Sequence, residues 1–344
     1  MFESFDLYAL SYQGQFNDER FDGLIAREMV RRDSRLCLMW NRGPALIGQM
    51  ALSRGDTFDA LLGDCFIVEH RATGTFKLVD FQDSDWSPSV QLARSQHFRG
   101  ALYTMYNRPH VEQMFGAKAA SVQPGWFLDQ MPNLTRAYRD AARAVRSGRL
   151  DERLFFRGTI LKHRASGDAP YQWMGKLFRE TAKVLADRYP SEVDISDEKL
   201  PRSEWFLEAA RHRVVLTLPG HPWCYREFEL FSLGIPLIAY PWHTHVEAGA
   251  MPEAGVHYVA TRDLRRETPG FALDPEEGAE AIIAAFRAAR RDPVRLEQIG
   301  LAGQLWYDRE LTPEAIAAGV LQFLNLDGPE WHAVQPAASA LVAA

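Results

Sequence analysis

The sequence predicts an α/β chain of two Rossmann-like domains. Three observations carry that expectation: the length, a repeated alternation of short apolar runs with helical patterns, and a glycine- and proline-marked loop between a strand and a helix. A chain of 344 residues exceeds one ordinary core and suits two domains. Hydrophobic residues make up 47% and charged residues 24%, the balance of a soluble globular protein. Strands alternating with helices imply parallel sheets covered on both faces. The boundary is expected near Arg146-Ser147-Gly148, giving domains over residues 1–148 and 149–330 and an alanine-rich tail over 331–344.

In the first half, residues 5–10 and 35–40 have the apolar character of strands, and residues 19–32 the stripe of an amphipathic helix. Residues 66–69 and 76–80 flank Ala72-Thr73-Gly74, the signature of a hairpin turn. Further strands are expected at 101–106 and 119–122, then a helix at 134–145. In the second half, strands are expected at 154–156, 214–218 and 235–240, with helices at 171–189, 205–211 and 224–233 between them. Three helices close the fold, the last opened by Thr312 as N-cap with Pro313 at the first helical position.

The net charge of −6 disfavours a broad nucleic-acid surface. Met1-Phe2-Glu3-Ser4-Phe5-Asp6 lacks the basic region and apolar core of a signal peptide. No apolar run approaches the roughly 20 residues of a spanning helix, so a cytoplasmic location is expected. Cys37, Cys65 and Cys224 lie far apart in apolar or aromatic surroundings, with neither metal-ligand nor disulfide spacing. Cys37 and Cys65 are expected to be buried as small hydrophobes.

The chemistry concentrates between Leu218 and Ile238. A strand end leads through Pro219-Gly220-His221-Pro222-Trp223 into a helix carrying Tyr225, Arg226 and Glu229, which leaves by Gly234-Ile235-Pro236. Open parallel sheets bind ligands at the carboxyl ends of their strands. Gly220 permits a tight turn, and Pro222 suits a helix start. The helix N-terminus offers free N–H groups and the positive end of its dipole to an anion. Arg226 and Glu229, three apart, share a helix face. A guanidinium for a diphosphate with a carboxylate one turn on for ribose hydroxyls is coherent chemistry. An ordinary Arg–Glu surface pair is the alternative.

The run Tyr225-Arg226-Glu227-Phe228-Glu229, with Gly234-Ile235-Pro236 beginning five residues after Glu229, resembles the nucleotide-binding helix of GT-B glycosyltransferases. Glu229 matches the position of their ribose-binding glutamate. Arg226 matches the diphosphate arginine of the protein O-glucosyltransferase and capsule-associated family (family 90) and of exostosin-like enzymes. Phe155-Phe156-Arg157-Gly158-Thr159 is similar to the aromatic-Arg-Gly-Thr motif of family 90. Val256-His257-Tyr258-Val259 with Asp263-Leu264, and the closing stretch from Ile299 to Tyr307 with Leu311-Thr312, resemble its later segments. The resemblance covers about residues 150 to 325. Two positions depart from it: His221 stands where a glutamate is common, and Cys224 where a small hydroxyl residue is.

The resemblance implies two Rossmann-like domains facing a cleft (the GT-B fold), with a nucleotide-sugar, above all a UDP-sugar, held by the C-terminal domain. Its expected donor-site residues are Arg157, Gly158, Thr159, Gly220, His221, Trp223, Tyr225, Arg226 and Glu229. Lys162, His163 and Arg164 form either a second phosphate contact or a solvated basic loop. The acceptor is a hydroxyl of a glycan, lipid-linked, small-molecule or protein substrate. No cofactor beyond the donor and no metal is expected, because arginine and helix dipoles neutralise the leaving diphosphate. His243 and His245 form His-x-His without further ligands at metal spacing.

Inverting transfer needs a base for the acceptor hydroxyl. Asp83 is the first candidate and Asp80 the second, with Asp85 beside them, although aspartate is also a common turn former. The competing functions are a nucleotide-sugar epimerase, a DNA-base glycosyltransferase and a nucleotide-sugar-binding protein without catalysis.

Overall fold

The apolar runs assemble into two sheets, each the centre of its own unit. The computed structural model describes residues 4–10, 21–40, 65–80, 95–103, 119–121, 132–158, 170–218, 225–241, 250–262 and 274–332.

The N-terminal unit contains β1 (Phe5–Leu10), α1 (Phe21–Arg32), β2 (Leu36–Trp40), β3 (Cys65–His70), β4 (Phe76–Asp80), β5 (Phe98–Tyr103) and β6 (Ala119–Ser121). Its sheet runs β2-β1-β3-β4-β5-β6. Its pairing is mixed, with the expected hairpin interrupting the parallel sheet. β3 is antiparallel to both β1 and β4, while β1–β2, β4–β5 and β5–β6 are parallel. The cause is the tight β3–β4 hairpin at Ala72-Thr73-Gly74, where Gly74 has φ of 67° and donates to the His70 carbonyl at 2.9 Å. A turn this short reverses direction, whereas a parallel pair needs a long crossover. Cys65 is buried as expected, but Cys37 is exposed, because β2 is the edge of the sheet.

The C-terminal unit contains α2 (Pro132–Arg146), β7 (Asp151–Arg157), α3 (Pro170–Arg188), β8 (Val193–Ser196), α4 (Arg202–Arg211), β9 (His212–Leu216), α5 (Tyr225–Leu233), β10 (Leu237–Ala239), β11 (Val259–Ala260), α6 (Pro275–Ala289) and α7 (Pro293–Glu310). All its strand pairs are parallel, in the order β11-β10-β9-β7-β8. Numbered within the unit, that order is 2-1-3-4-5, a doubly wound sheet whose order reverses between β7 and β9. Side chains alternate across it, as strands require. Leu154 joins a core with Leu185 of α3 and Ile282, Ile283 and Phe286 of α6. Phe155, one residue on, turns to the opposite face toward Trp205 of α4, with ring centroids 6.4 Å apart.

The units divide the chain differently from the expected boundary at 148. One comprises Met1–Trp126, Thr244–Met251 and Glu310–Ala344, the other Phe127–His243 and Pro252–Arg309. α2 belongs to the second because it packs on α4 and α5. The last helix, α8 (Pro313–Leu324), returns to the N-terminal unit and packs on α1. Thr312 caps it as expected, accepting from the Ala315 N–H at 3.2 Å with Pro313 at the first helical position. At its far end the buried Lys77 of β4 donates to the carbonyls of Phe323 and Leu324 at 3.1 and 2.7 Å and to Glu330 at 2.8 Å. A lysine ammonium satisfies the last helical carbonyls and the negative end of the dipole together.

Candidate functional site

The reversal of strand order brings the carboxyl ends of β7 and β9 side by side, and the sequence-selected residues follow those two ends. β7 ends at Arg157, and Gly158 follows. Beyond β9, Thr217 and Leu218 lead toward α5, whose first residue is Tyr225. Thr217 fixes the start of that helix. Its hydroxyl donates to the buried Glu227 carboxylate at 3.1 Å, and an acidic group in the first turn suits the dipole. In the sequence, Glu227 reads as one more charge of an amphipathic helix.

Arg226 crosses the reversal. One of its terminal nitrogens donates to the Arg157 carbonyl, tying the start of α5 to the end of β7. Its guanidinium lies 4.9 Å from the centre of the Trp205 ring, a cation–π contact. Glu229 is buried, and its carboxylate accepts from Arg202 at 2.6 Å. The expected shared face is therefore present, but the two residues engage α4 and β7 rather than each other. Trp205 and Arg202, three apart on α4, face Arg226 and Glu229, three apart on α5, as two stacked pairs. Neither α4 residue was singled out by sequence, since each partnership spans more than twenty positions.

Behind this face lies a charged network. Arg157 donates to the Asp194 carbonyl at 2.9 Å and pairs with its carboxylate at 2.7 Å. Its guanidinium lies 4.7 Å from the centre of the Phe155 ring. Arg153 pairs with Asp151 at 2.6 Å and Asp194 at 3.3 Å. The buried His212 spans from the Glu208 carbonyl (Nδ1, 3.0 Å) to Asp194 (Nε2, 3.2 Å). The hydrogen bond from Arg153 holds the Asp151 carboxyl down at about 2. For Asp194, burial pushes upward, but the bond and charge of Arg157 outweigh it and leave the carboxyl below the usual range. Ligand atoms of Asp151, Asp194 and His212 come within 4.8 Å of one another. Arg153 and Arg157 already pair with the two carboxylates of this group.

Two buried donors in this region have no partner, Arg157 Nε and Trp205 Nε1. Unsatisfied buried N–H groups are rare and costly; the Trp205 ring carries the Arg226 guanidinium, whereas Arg157 meets Arg226 through its backbone carbonyl. A cavity of roughly 420 Å³ beside Arg157 is lined also by Glu198, Glu204 and Glu208. Arg211 completes its charged lining and pairs with Glu208 at 2.6 Å.

Of the remaining expected donor residues, Thr159, Gly220, His221 and Trp223 lie outside the described residues, as does the Tyr225 side chain. So do Asp83, Asp85, the Lys162-His163-Arg164 run, His243 and His245. Asp80 is the last residue of β4 in the N-terminal unit. His257 serves its own turn, accepting the Glu253 N–H at 2.7 Å through Nδ1.

The exit of α5 is also built from sequence-selected residues. Gly234 has φ of 68°. It donates to the Phe231 carbonyl and Ile235 to the Leu230 carbonyl, each at 3.0 Å, the two bonds of a Schellman cap. α7 seats against this turn through Gly300. A Cβ there would lie 2.6 Å from the Gly234 oxygen and 2.9 Å from Pro236.

The C-terminal unit is thus a doubly wound α/β domain, with Arg157 and Arg226 joined at its topological switch point. The sequence matches no protein-family model and no curated protein. The structure is similar to that of sucrose-phosphate synthase from Thermosynechococcus elongatus, at 14% identity over 71% of this chain and 64% of that one, with a TM-score of 0.42. It thus spans just under two thirds of that protein's length. It is also similar to Anabaena HepE, solved in complex with UDP, at 12% identity over 93% and 99% of the two chains and a TM-score of 0.43. A third likeness is to a glycosyltransferase from Rickettsia africae ESF-5, at 9% identity over 92% and 96% and a TM-score of 0.44. These likenesses are distant.

Proposed function

We propose that the protein is a glycosyltransferase of the GT-B type, related to family 90, that moves a sugar from a nucleotide-sugar to a hydroxyl acceptor. The observation that carries this reading is the bond from Arg226 to the Arg157 carbonyl across the reversal between β7 and β9. It fixes a guanidinium beside a helix N-terminus where a doubly wound sheet receives its ligand. A guanidinium has five N–H donors, so one bond to a carbonyl leaves others for a diphosphate. Glu229, one turn further and oriented by Arg202, is the acceptor for ribose hydroxyls.

In the reaction the acceptor oxygen attacks the anomeric carbon as its bond to the diphosphate breaks. The proton passes to a carboxylate of the N-terminal unit, Asp83 first and Asp80 second. The leaving charge is met by Arg226 and the α5 N–H groups, already oriented before the reaction begins. UDP-sugars are the leading donor class, and transfer proceeds with inversion without a bound metal.

A thermal-shift panel of UDP-, GDP-, TDP- and CMP-sugars tests the reading, because a ligand bound only by the folded state raises its melting temperature. Arg226→Ala is expected to weaken nucleoside diphosphate binding about 10- to 150-fold, the loss of one charge-assisted contact. Calorimetry showing no nucleotide binding, or equal binding by the variant, would sink the reading.

A further inference from the structure

Among the described residues, five large hydrophobic side chains are exposed, and three of them lie on α7: Val294 at 68%, Leu301 at 55% and Leu305 at 59%. Their spacing of seven and four places them within about 40° of one another around the helix, in a row roughly 16 Å long. Single exposed leucines are ordinary; an aligned row is not.

The neighbouring helix has the opposite character. Arg136, Arg139, Arg143 and Arg146 recur along one side of α2 at steps of three and four. Two of them fasten it antiparallel to α7, Arg139 to Asp308 at 2.5 Å and Arg146 to Glu297 at 2.6 Å. Glu297 and Asp308 border the apolar row on the α2 side. Going across the surface, the order is the row of Val294, Leu301 and Leu305, then the ion-paired seam, then exposed Arg136 and Arg143. Among the described residues, Arg143 pairs only with the exposed Asp140 at 3.3 Å, a weak pairing in water. Arg136 and the exposed Arg149, which follows α2, have no ion pair among the described residues. Residues 132–149 and 293–310 together hold seven arginines against four carboxylates, a net of +3 in a chain whose total is −6.

We propose that this α2–α7 face docks on an anionic lipid bilayer. A bilayer boundary offers apolar depth for the leucine row and phosphates for the arginines at one level. Long arginine side chains bury their stems while keeping the guanidinium at the phosphates. A nucleic-acid backbone would match the arginines and leave the leucines in water. A second copy would cover the leucines but bring its own excess positive charge to the contact.

The experiment is co-sedimentation of the full chain with vesicles of phosphatidylcholine alone or with about 30 mol% phosphatidylglycerol, a composition that gives a negative surface. Retention is expected only on the phosphatidylglycerol vesicles, and it should fall steeply as salt approaches about 1 M. Leu301→Ser with Leu305→Ser should lower the partition coefficient roughly tenfold per leucine. Arg136→Glu with Arg143→Glu and Arg149→Glu should abolish retention, and all these variants should melt like the parent because the sites are exposed. Failure of the parent to bind, equal binding to both vesicles, or binding untouched by either set overturns the proposal. So does a concentration-dependent dimer in light scattering that Leu301→Ser abolishes, which would assign the face to a second copy. Vesicle retention reads neither nucleotide binding nor turnover, so the result stands apart from the proposed transferase activity.

Discussion

At the scale of single residues, Arg226 and Glu229 hold their places because residues distant in sequence hold them, and the same is true of the network behind Arg157. Asp151 is the member of that network whose protonation is easiest to follow. Its carboxyl is held at about 2, against an ordinary 3.8, by the hydrogen bond from Arg153. Because the folded value is the lower one, the unfolded chain binds the proton first. The stabilisation is complete above about 3.8 and is lost as the pH falls through about 2. Urea unfolding measured between about pH 5 and pH 2 should show the parent losing stability in that window. Asp151→Asn, with no proton to gain, should follow a shallower curve. Parallel curves for the two proteins would show that the Arg153–Asp151 pair contributes nothing proton-linked.

At the scale of elements, the close seating of α7 on the α5 turn makes a sharper prediction than any surface pair. Gly300→Ala puts a methyl against the Gly234 carbonyl and the Pro236 ring, where backbone must give way. Overpacking of this kind costs about 1–3 kcal/mol, and chemical denaturation should register it. Gly234→Ala should cost about 1 kcal/mol for a different reason, the positive φ of the Schellman cap. An unchanged midpoint for Gly300→Ala would mean that α7 can shift outward freely. Which elements the sequence disclosed follows from the same physics. Strong punctuation was legible: Thr312-Pro313 opens α8, Ala72-Thr73-Gly74 turns the hairpin, and Gly234-Ile235-Pro236 ends α5. β8 was not legible, because Val193-Asp194-Ile195-Ser196 is a short edge strand whose polar alternate positions resemble a loop. β11, two residues long, offers no period at all. The sense of β3 was implied by its tight turn, yet the general alternation of strands and helices argued for parallel pairing.

At the scale of the whole molecule, the two halves of the proposed site differ in how they are written. The donor half is encoded at the ends of adjacent strands: Arg157 closing β7 with Gly158 after it, and Arg226 beyond β9. A local motif in the sequence therefore coincides, at Arg157 and Arg226, with a topological switch point. Their supports, Trp205, Arg202 and Asp194, carry no local motif and emerge only from packing. The proton-accepting half has no comparable signature: Asp80 ends β4, Asp83 and Asp85 follow it in the sequence, and aspartate is a common turn former. The division into two units nevertheless makes the base separable by experiment. If Asp83 takes the acceptor proton, Asp83→Asn should leave nucleoside diphosphate affinity nearly intact, because Arg226 and Glu229 belong to the other unit. Transfer should fall about 10²–10⁴-fold, the usual contribution of a general base. Asp80→Asn and Asp85→Asn, assayed beside it after their melting temperatures are checked, distinguish a base from a turn former. A turn former costs a little stability and leaves turnover almost unchanged, whereas the base leaves stability intact and removes turnover. Should folded Asp83→Asn turn over like the parent while Asp80→Asn does not, the proton passes to the last residue of β4. If neither variant slows transfer, the base lies elsewhere, and His110 in Arg108-Pro109-His110 becomes the residue to replace next.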